Sequence, residues 1–201
     1  MPDGHTFRLL VGLGNPGGEY SGTRHNVGFM VLDRLAAVLG ATFRADKKWK
    51  ADVAVATMQN PCGGDVWLLK PKTYMNLSGE SVGEIARFYK IEPARVLVVL
   101  DDMALPLGRL RFRDRGSHGG HNGLRSILDH LGTQDVPRLR VGIGEAPDAA
   151  TGHVLGRFAV DERPLVAQSL DRAVEAVRFA QENDLPSAMN RFNTNTPTTP
   201  L

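Results

Sequence analysis

The chain has 201 residues, of which 42% are hydrophobic and 23% charged. That is ordinary globular usage, long enough for one core burying roughly 70% of the unfolded surface, and it excludes a disordered or fibrous protein. A formal charge of +2 names no partner, and Cys62 as the only cysteine excludes an internal disulfide or a cysteine-cluster zinc site and fits a reducing compartment.

Met1 to Thr6 holds no apolar leader, and the longest aliphatic run, Val96 to Leu100, is far too short to cross a membrane. Phe7 to Gly12 reads as a first strand, and Val27 to Leu39 places apolar residues at helical spacing until Gly40. Ala51 to Thr57 alternates and Val66 to Leu69 follows a turn-rich stretch, which predicts a hairpin. Asn76 or Ser78 caps a helix running to about Tyr89, and Val96 to Leu100 reads as a strand covered on both faces. Leu110 to Arg115 alternates, Leu124 to Leu131 is a short helix, Leu139 to Ile143 a strand, and the end is helical through Leu185 to Phe192. The expected architecture is α/β: a single-domain three-layer α/β/α sandwich over residues 1–192 on a mixed, mostly parallel twisted sheet, with a flexible tail from 193 to 201.

Gly12-Leu-Gly14-Asn-Pro-Gly17 satisfies the G-x-G-x-x-G pattern after a strand. In a dinucleotide site, however, a helix starts inside the glycine run and aims its amides at the pyrophosphate. Here Pro16 and Gly17-Gly18 prevent that, so the motif is set aside. The loop instead offers Asn15, Tyr20, Arg24, His25 and Asn26 at a strand's C-terminal end, where ligand crevices of open α/β sheets form. Taken alone, Asn15-Pro16-Gly17 is better explained as a plain turn.

Asp101-Asp102 closes the aliphatic strand, so one carboxylate is placed to orient a histidine from a neighbouring loop, or else to bind turn amides ahead of Pro106. Gly116-Ser-His-Gly-Gly-His-Asn-Gly123 leads into a helix and suits an anionic or carbonyl-bearing ligand. His118 and His121 with Asp101 and Asp102 could suggest a metal, but the spacing lacks the i, i+4 geometry of helical zinc sites, and no metal is expected. Arg109, Arg111, Arg113 and Arg115 recur at period 2, which puts four like charges on one strand face. Arg138 and Arg140 extend the patch, and we read it as an RNA or phosphate contact rather than a solvated face.

Four blocks now stand together: Val11 to Gly17 with Tyr20 and Thr23-Arg-His-Asn-Val-Gly28; Lys70 to Gly79; Asp101-Asp102 with Leu105-Pro106; and His118 to Leu124 with Arg138 to Gly144. In this order, over about residues 7 to 192, they resemble the bacterial-type peptidyl-tRNA hydrolase family. The resemblance implies a cytoplasmic monomer without metal or cofactor that cleaves the ester joining a peptide to the 3′ end of tRNA. It makes His25 the base that activates water and Asp101 its orienting carboxylate. Asn15 and Asn76 would position the ester and its oxyanion, Asn122 would hold the water or the peptide, and Tyr20 and Tyr74 would join the substrate-binding set. Arg113 and Arg140 would clamp a tRNA phosphate. The implied partner is peptidyl-tRNA, held by its acceptor end and 3′ terminus, with a transient association with ribosome-recycling machinery as a further expectation.

Leu100 and Ala104 depart from the family pattern, in which a histidine and an acidic residue are common, and the loop from Glu145 to Thr151 lacks basic residues. Two other readings compete. One is an RNA-binding module without catalysis, against which the complete set Asn15, His25, Asn76, Asp101 and Asn122 argues. The other is metal-dependent hydrolysis through His118, His121 and Asp102.

Overall fold

A computed structural model describes residues 7–57, 64–145 and 150–194. Its sheet has seven strands in the order β2-β3-β4-β1-β5-β7-β6. These are β1 Leu9–Gly12, β2 Arg44–Asp46, β3 Ala51–Thr57, β4 Asp65–Pro71, β5 Val96–Asp102, β6 Leu110–Arg113 and β7 Arg138–Gly142. The inner pairs β1 with β4, β1 with β5 and β5 with β7 are parallel, whereas β2 with β3, β3 with β4 and β6 with β7 are antiparallel. The expected hairpin is therefore β3–β4, although its connection, with Cys62, lies outside the described residues. The three-residue β2 was not anticipated, because so short a strand shows no alternation to read.

Strand alternation divides the core into two. Leu10 of β1 and Leu97 and Val99 of β5 face one side, while Leu9, Val11, Val96, Val98 and Leu100 face the other. The first side is covered by α1 Val27–Val38, α5 Arg163–Glu182 and α6 Leu185–Phe192, and the second by α2 Ser78–Phe88 and α3 Asn122–Leu131. Each fully buried leucine in these layers contributes about 2 kcal/mol of transfer free energy. A short α4, Ala150–Leu155, had no sequence signal. The terminal helix α6 starts where Asp184 accepts a hydrogen bond from the Ser187 amide. Asn193, assigned above to the tail, is instead tied to β6, its side chain bonded to both the Phe112 amide and carbonyl. Residues 195–201 lie outside the described residues.

Close packing of α1 on the sheet explains the first glycines. A Cβ on Gly28 would stand 2.4 Å from the Leu13 amide nitrogen and the Val99 carbonyl oxygen, and one on Gly12 would stand 2.4 Å from the Gly28 carbonyl oxygen. Gly12 thus serves contact between helix and strand, and Gly17, at φ 112, serves the turn. The helix itself begins only at Val27, so nothing like a dinucleotide cradle forms at the glycine run. Its delayed start brings the segment carrying His25 over the C-terminal ends of β1 and β5.

Candidate active site

The site begins where β1 ends. The Leu13 amide still bonds the Val99 carbonyl, and the chain then turns across the sheet crest. Asn26 holds the turn from both sides: its Oδ1 accepts from the Asn15 amide at 2.8 Å, and its Nδ2 donates to the Asn15 carbonyl at 3.0 Å. The Asn15 side chain is fixed in turn, because its Oδ1 accepts from the Met75 amide at 2.9 Å. That leaves Asn15 Nδ2 as a donor without a protein partner among the described residues, in a side chain that is otherwise buried.

His25 sits in a single 3-10 turn, Arg24–Asn26, anchored by its neighbour. Buried Arg24 donates to the Ile143 carbonyl and, at 2.6 Å, to Glu162, and stacks over Phe158. From this mount His25 Nδ1 reaches Asp101 Oδ1 at 2.8 Å, and His121 Nε2 reaches the same oxygen at 3.0 Å. His121 Nδ1 meanwhile accepts from the Leu124 amide, capping α3. A ring nitrogen that accepts carries no proton, so His121 donates to Asp101 from Nε2. Asp101 can serve both histidines only as an ionised acceptor, and this puts a proton on His25 Nδ1, so that the neutral ring carries its lone pair on Nε2. Burial pushes the Asp101 carboxyl up, but the hydrogen bonds from His121 and His25 outweigh it and hold the group well below the usual carboxylate range.

These groups line one open cleft of about 1440 Å³, shared with Tyr74, Asn76, Asn122, Arg113 and Arg140. Tyr74 and Asn76 come from the 3-10 turn Met75–Leu77 ahead of α2 and its lead-in, and both are exposed to the cleft. Asn122 opens α3, its Oδ1 accepting from Arg125. Tyr20 is not among the lining residues; its carbonyl accepts from the Thr23 hydroxyl and amide, and so shapes the loop ahead of His25. Leu100 and Ala104, the departures noted above, also line the cleft.

The metal trio weighed from sequence does not assemble: His118 accepts from the Gly120 amide, and Asp102 is paired with Arg140. Ligating atoms of His25, Asp101 and His121 do lie within 4.8 Å of one another. Their nitrogen-to-oxygen contacts of 2.8 and 3.0 Å are hydrogen-bond lengths, shorter than the roughly 3.3 Å that separates ligands around a tetrahedral zinc.

The arginine face differs from the expected one. Strand β6 carries only Arg111 and Arg113 on it, because Arg109 precedes the strand and donates to the Asn193 carbonyl, and Arg115 follows it. The face is completed from the next strand: Arg111 pairs across to Arg140, and Arg113 to Arg138. Like charges directly opposite each other repel, which favours an anion beside them. Arg138 is fully buried and donates to the Gly116 carbonyl; burial, with Arg140 nearby, lowers its pKa against the opposing pull of Asp114.

Sequence reasoning missed two residues. His121 was weighed only as a metal ligand, whereas its position directly before a helix was a capping signal that would have fixed its tautomer. Arg24 was noted as a loop polar group, and nothing local revealed that Ile143 and Glu162 would bury it.

The fold and site define an α/β protein with a carboxylate-oriented histidine in a basic cleft. Comparison with known proteins makes this specific. The family model described as peptidyl-tRNA hydrolase matches residues 9–199. The peptidyl-tRNA hydrolase of Akkermansia muciniphila is 48% identical over 188 residues, covering 92% of this chain and 95% of that protein. One from a Synechococcus strain is 50% identical over 190 residues, covering 94% and 84%. The crystal structure of the Acinetobacter baumannii peptidyl-tRNA hydrolase superposes with a TM-score of 0.86 at 41% identity, covering 93% of this chain and 94% of that one. The chain belongs to the peptidyl-tRNA hydrolase family.

Proposed function

We propose that this chain hydrolyses the ester between a peptide, or an N-acylated amino acid, and the 3′ end of tRNA, with His25 as the base. The observation that carries the assignment of roles is the His25–Asp101 contact, which in the neutral ring puts the lone pair on His25 Nε2, in the cleft that Asn15 also lines. His25 Nε2 takes a proton from water as the oxygen attacks the ester carbonyl. The tetrahedral oxyanion is met by Asn15 Nδ2, with the Asn76 amide beside it, and one such donor is worth about 3 kcal/mol. Collapse breaks the bond to the ribose oxygen, which recovers the proton from the imidazolium. Asp101 supports the transient positive charge without itself taking the proton. Asn122, at the opening of α3, holds the water or the peptide backbone.

Neutral amide donors suit a site beside RNA because they add no charge of their own. Arg113 and Arg140 supply the remote phosphate contact, and the repulsive pairing of the arginine strands supports that reading. Among the described residues no helix is long and apolar enough to cross a membrane. We place the protein in the cytoplasm, where its substrate is made, acting as a monomer.

The test is release of N-acetyl-amino acid from N-acetyl-aminoacyl-tRNA in the presence of EDTA, for the wild type and His25→Ala. Turnover by the wild type and its loss in the variant, with tRNA still bound, supports the assignment. Turnover retained by His25→Ala removes His25 as the base, and no turnover by the wild type moves the function to RNA binding alone.

A further inference from the structure

Among the described residues, one carboxylate is ion-paired to the arginine face and used by neither the chemistry nor the phosphate clamp. Asp102, the last residue of β5, is an ion-pair partner of Arg140 Nε. Its other oxygen accepts from the Ala104 amide at 2.9 Å, so the carboxylate is held from both sides. The pair is asymmetric in exposure: the Arg140 side chain is 28% exposed and that of Asp102 13%, so the guanidinium is the more accessible partner on the cleft that both residues line. Among the described residues, Arg111, Arg113 and Arg138 form no ion pair with any carboxylate, and the Nε atoms of Arg111 and Arg138 are buried without a partner. Asp102 therefore serves Arg140 alone within this group.

Arg140 makes no hydrogen bond through its terminal Nη groups among the described residues. A guanidinium gripped at Nε keeps its plane and presents its Nη edge as a preset fork, the geometry that matches a phosphate. An arginine without such a partner must give up side-chain rotamer freedom when the phosphate arrives. The same carboxylate also offsets the repulsion between Arg140 and Arg111, its cross-strand neighbour.

We propose that Asp102 is a positioning residue for tRNA recognition: it mounts Arg140 through Nε and the Ala104 amide so that the Nη edge meets a substrate phosphate already oriented. This rests on the reading of Arg140 as a phosphate contact. It makes Asp102 a determinant of specificity for full-length tRNA over small esters, acting from the residue next to the one that orients His25.

The experiment is a double-mutant cycle with Asp102→Asn and Arg140→Ala, measuring kcat and KM on N-acetyl-aminoacyl-tRNA and on a minimal acyl-adenosine ester. An amide at 102 keeps one acceptor oxygen and loses the charge, so it cannot hold Arg140 and the Ala104 amide together. Asp102→Asn is expected to raise KM for the tRNA substrate roughly three- to ten-fold beyond any change on the minimal ester, and to add nothing in the Arg140→Ala background. Asp102→Glu, which keeps both acceptor oxygens and the charge, recovers part of the loss and covers the case in which the amide variant folds poorly. Additive losses in the cycle overturn the proposal, since Asp102 would then act elsewhere. A fall in KM also overturns it, because Asp102 would then be an anion competing for Arg140. Arg140→Ala with an unchanged tRNA KM removes the phosphate reading itself, a result distinguishable from an Arg140 effect that Asp102 does not share.

Discussion

His25 Nδ1 stands 2.8 Å from Asp101 Oδ1, on an oxygen that His121 already holds at 3.0 Å. Two donors converging on one buried acceptor make that acceptor's charge essential, and its replacement informative. Asp101→Asn offers one amide oxygen and introduces an NH2 that competes for the ring nitrogens, so His25 loses both its tautomer and its support. We expect kcat on N-acetyl-aminoacyl-tRNA to fall by roughly 10²- to 10⁴-fold, with KM changed far less. A fall of less than about ten-fold would remove Asp101 as the orienting group.

The same carboxylate links stability to pH. Its pKa is lowered in the folded protein, so its stabilising contribution is complete above the unfolded value of about 3.9 and is lost as pH falls through the folded one. The urea-midpoint deficit of Asp101→Asn relative to wild type is therefore expected to shrink between about pH 5 and pH 3. A deficit that grows over that range would mean the carboxyl is held neutral instead.

Among the described residues Arg113 shows no ion pair, and it lies across from buried Arg138 on the cleft side. Arg113→Ala should weaken deacylated tRNA binding similarly for different tRNA sequences, and reduce the slope of log K against log salt by about 1. Titration of labelled tRNA by fluorescence anisotropy across salt concentrations measures this. An unchanged slope would place the phosphate elsewhere.

Glycine positions separate packing from turn chemistry. A Cβ at Gly28 would meet backbone atoms of both Leu13 and Val99, which cannot swing aside as a side chain can. Gly28→Ala should cost about 3 kcal/mol, lowering Tm by roughly 6–12 °C. Gly152, in α4 with nothing near its Cβ position, should behave oppositely. Gly152→Ala is expected to be neutral or to stabilise by up to about 1 kcal/mol, as alanine outranks glycine in a helix. Thermal unfolding of the two variants side by side tests both.

Much of the molecule was legible along the chain. The unbroken run Val96 to Leu100 marked a central strand because only a strand covered on both faces tolerates it, and it is β5, flanked by β1 and β7. Delay of the first helix past Gly17 was readable from Pro16 and Gly18, because backbone restriction acts locally. The arginine face was largely readable: period 2 placed Arg111 and Arg113 together and Arg138 and Arg140 beside them, but the strand spans only Leu110–Arg113, which leaves Arg109 and Arg115 outside it.

What the sequence by itself determined, then, is whatever depends on neighbours in the chain: element types, the position of Asp101-Asp102 at a strand's end, and the family resemblance carried by His25, Asn15 and Asn76. Tertiary structure alone decided that His25 and His121 share one oxygen of Asp101, that Arg24 is clamped by Ile143 and Glu162, and that Asp102 pairs with Arg140. Those contacts join residues 20 to 138 positions apart, and their geometry is set by strand order and helix packing, quantities to which no local pattern of residues is sensitive.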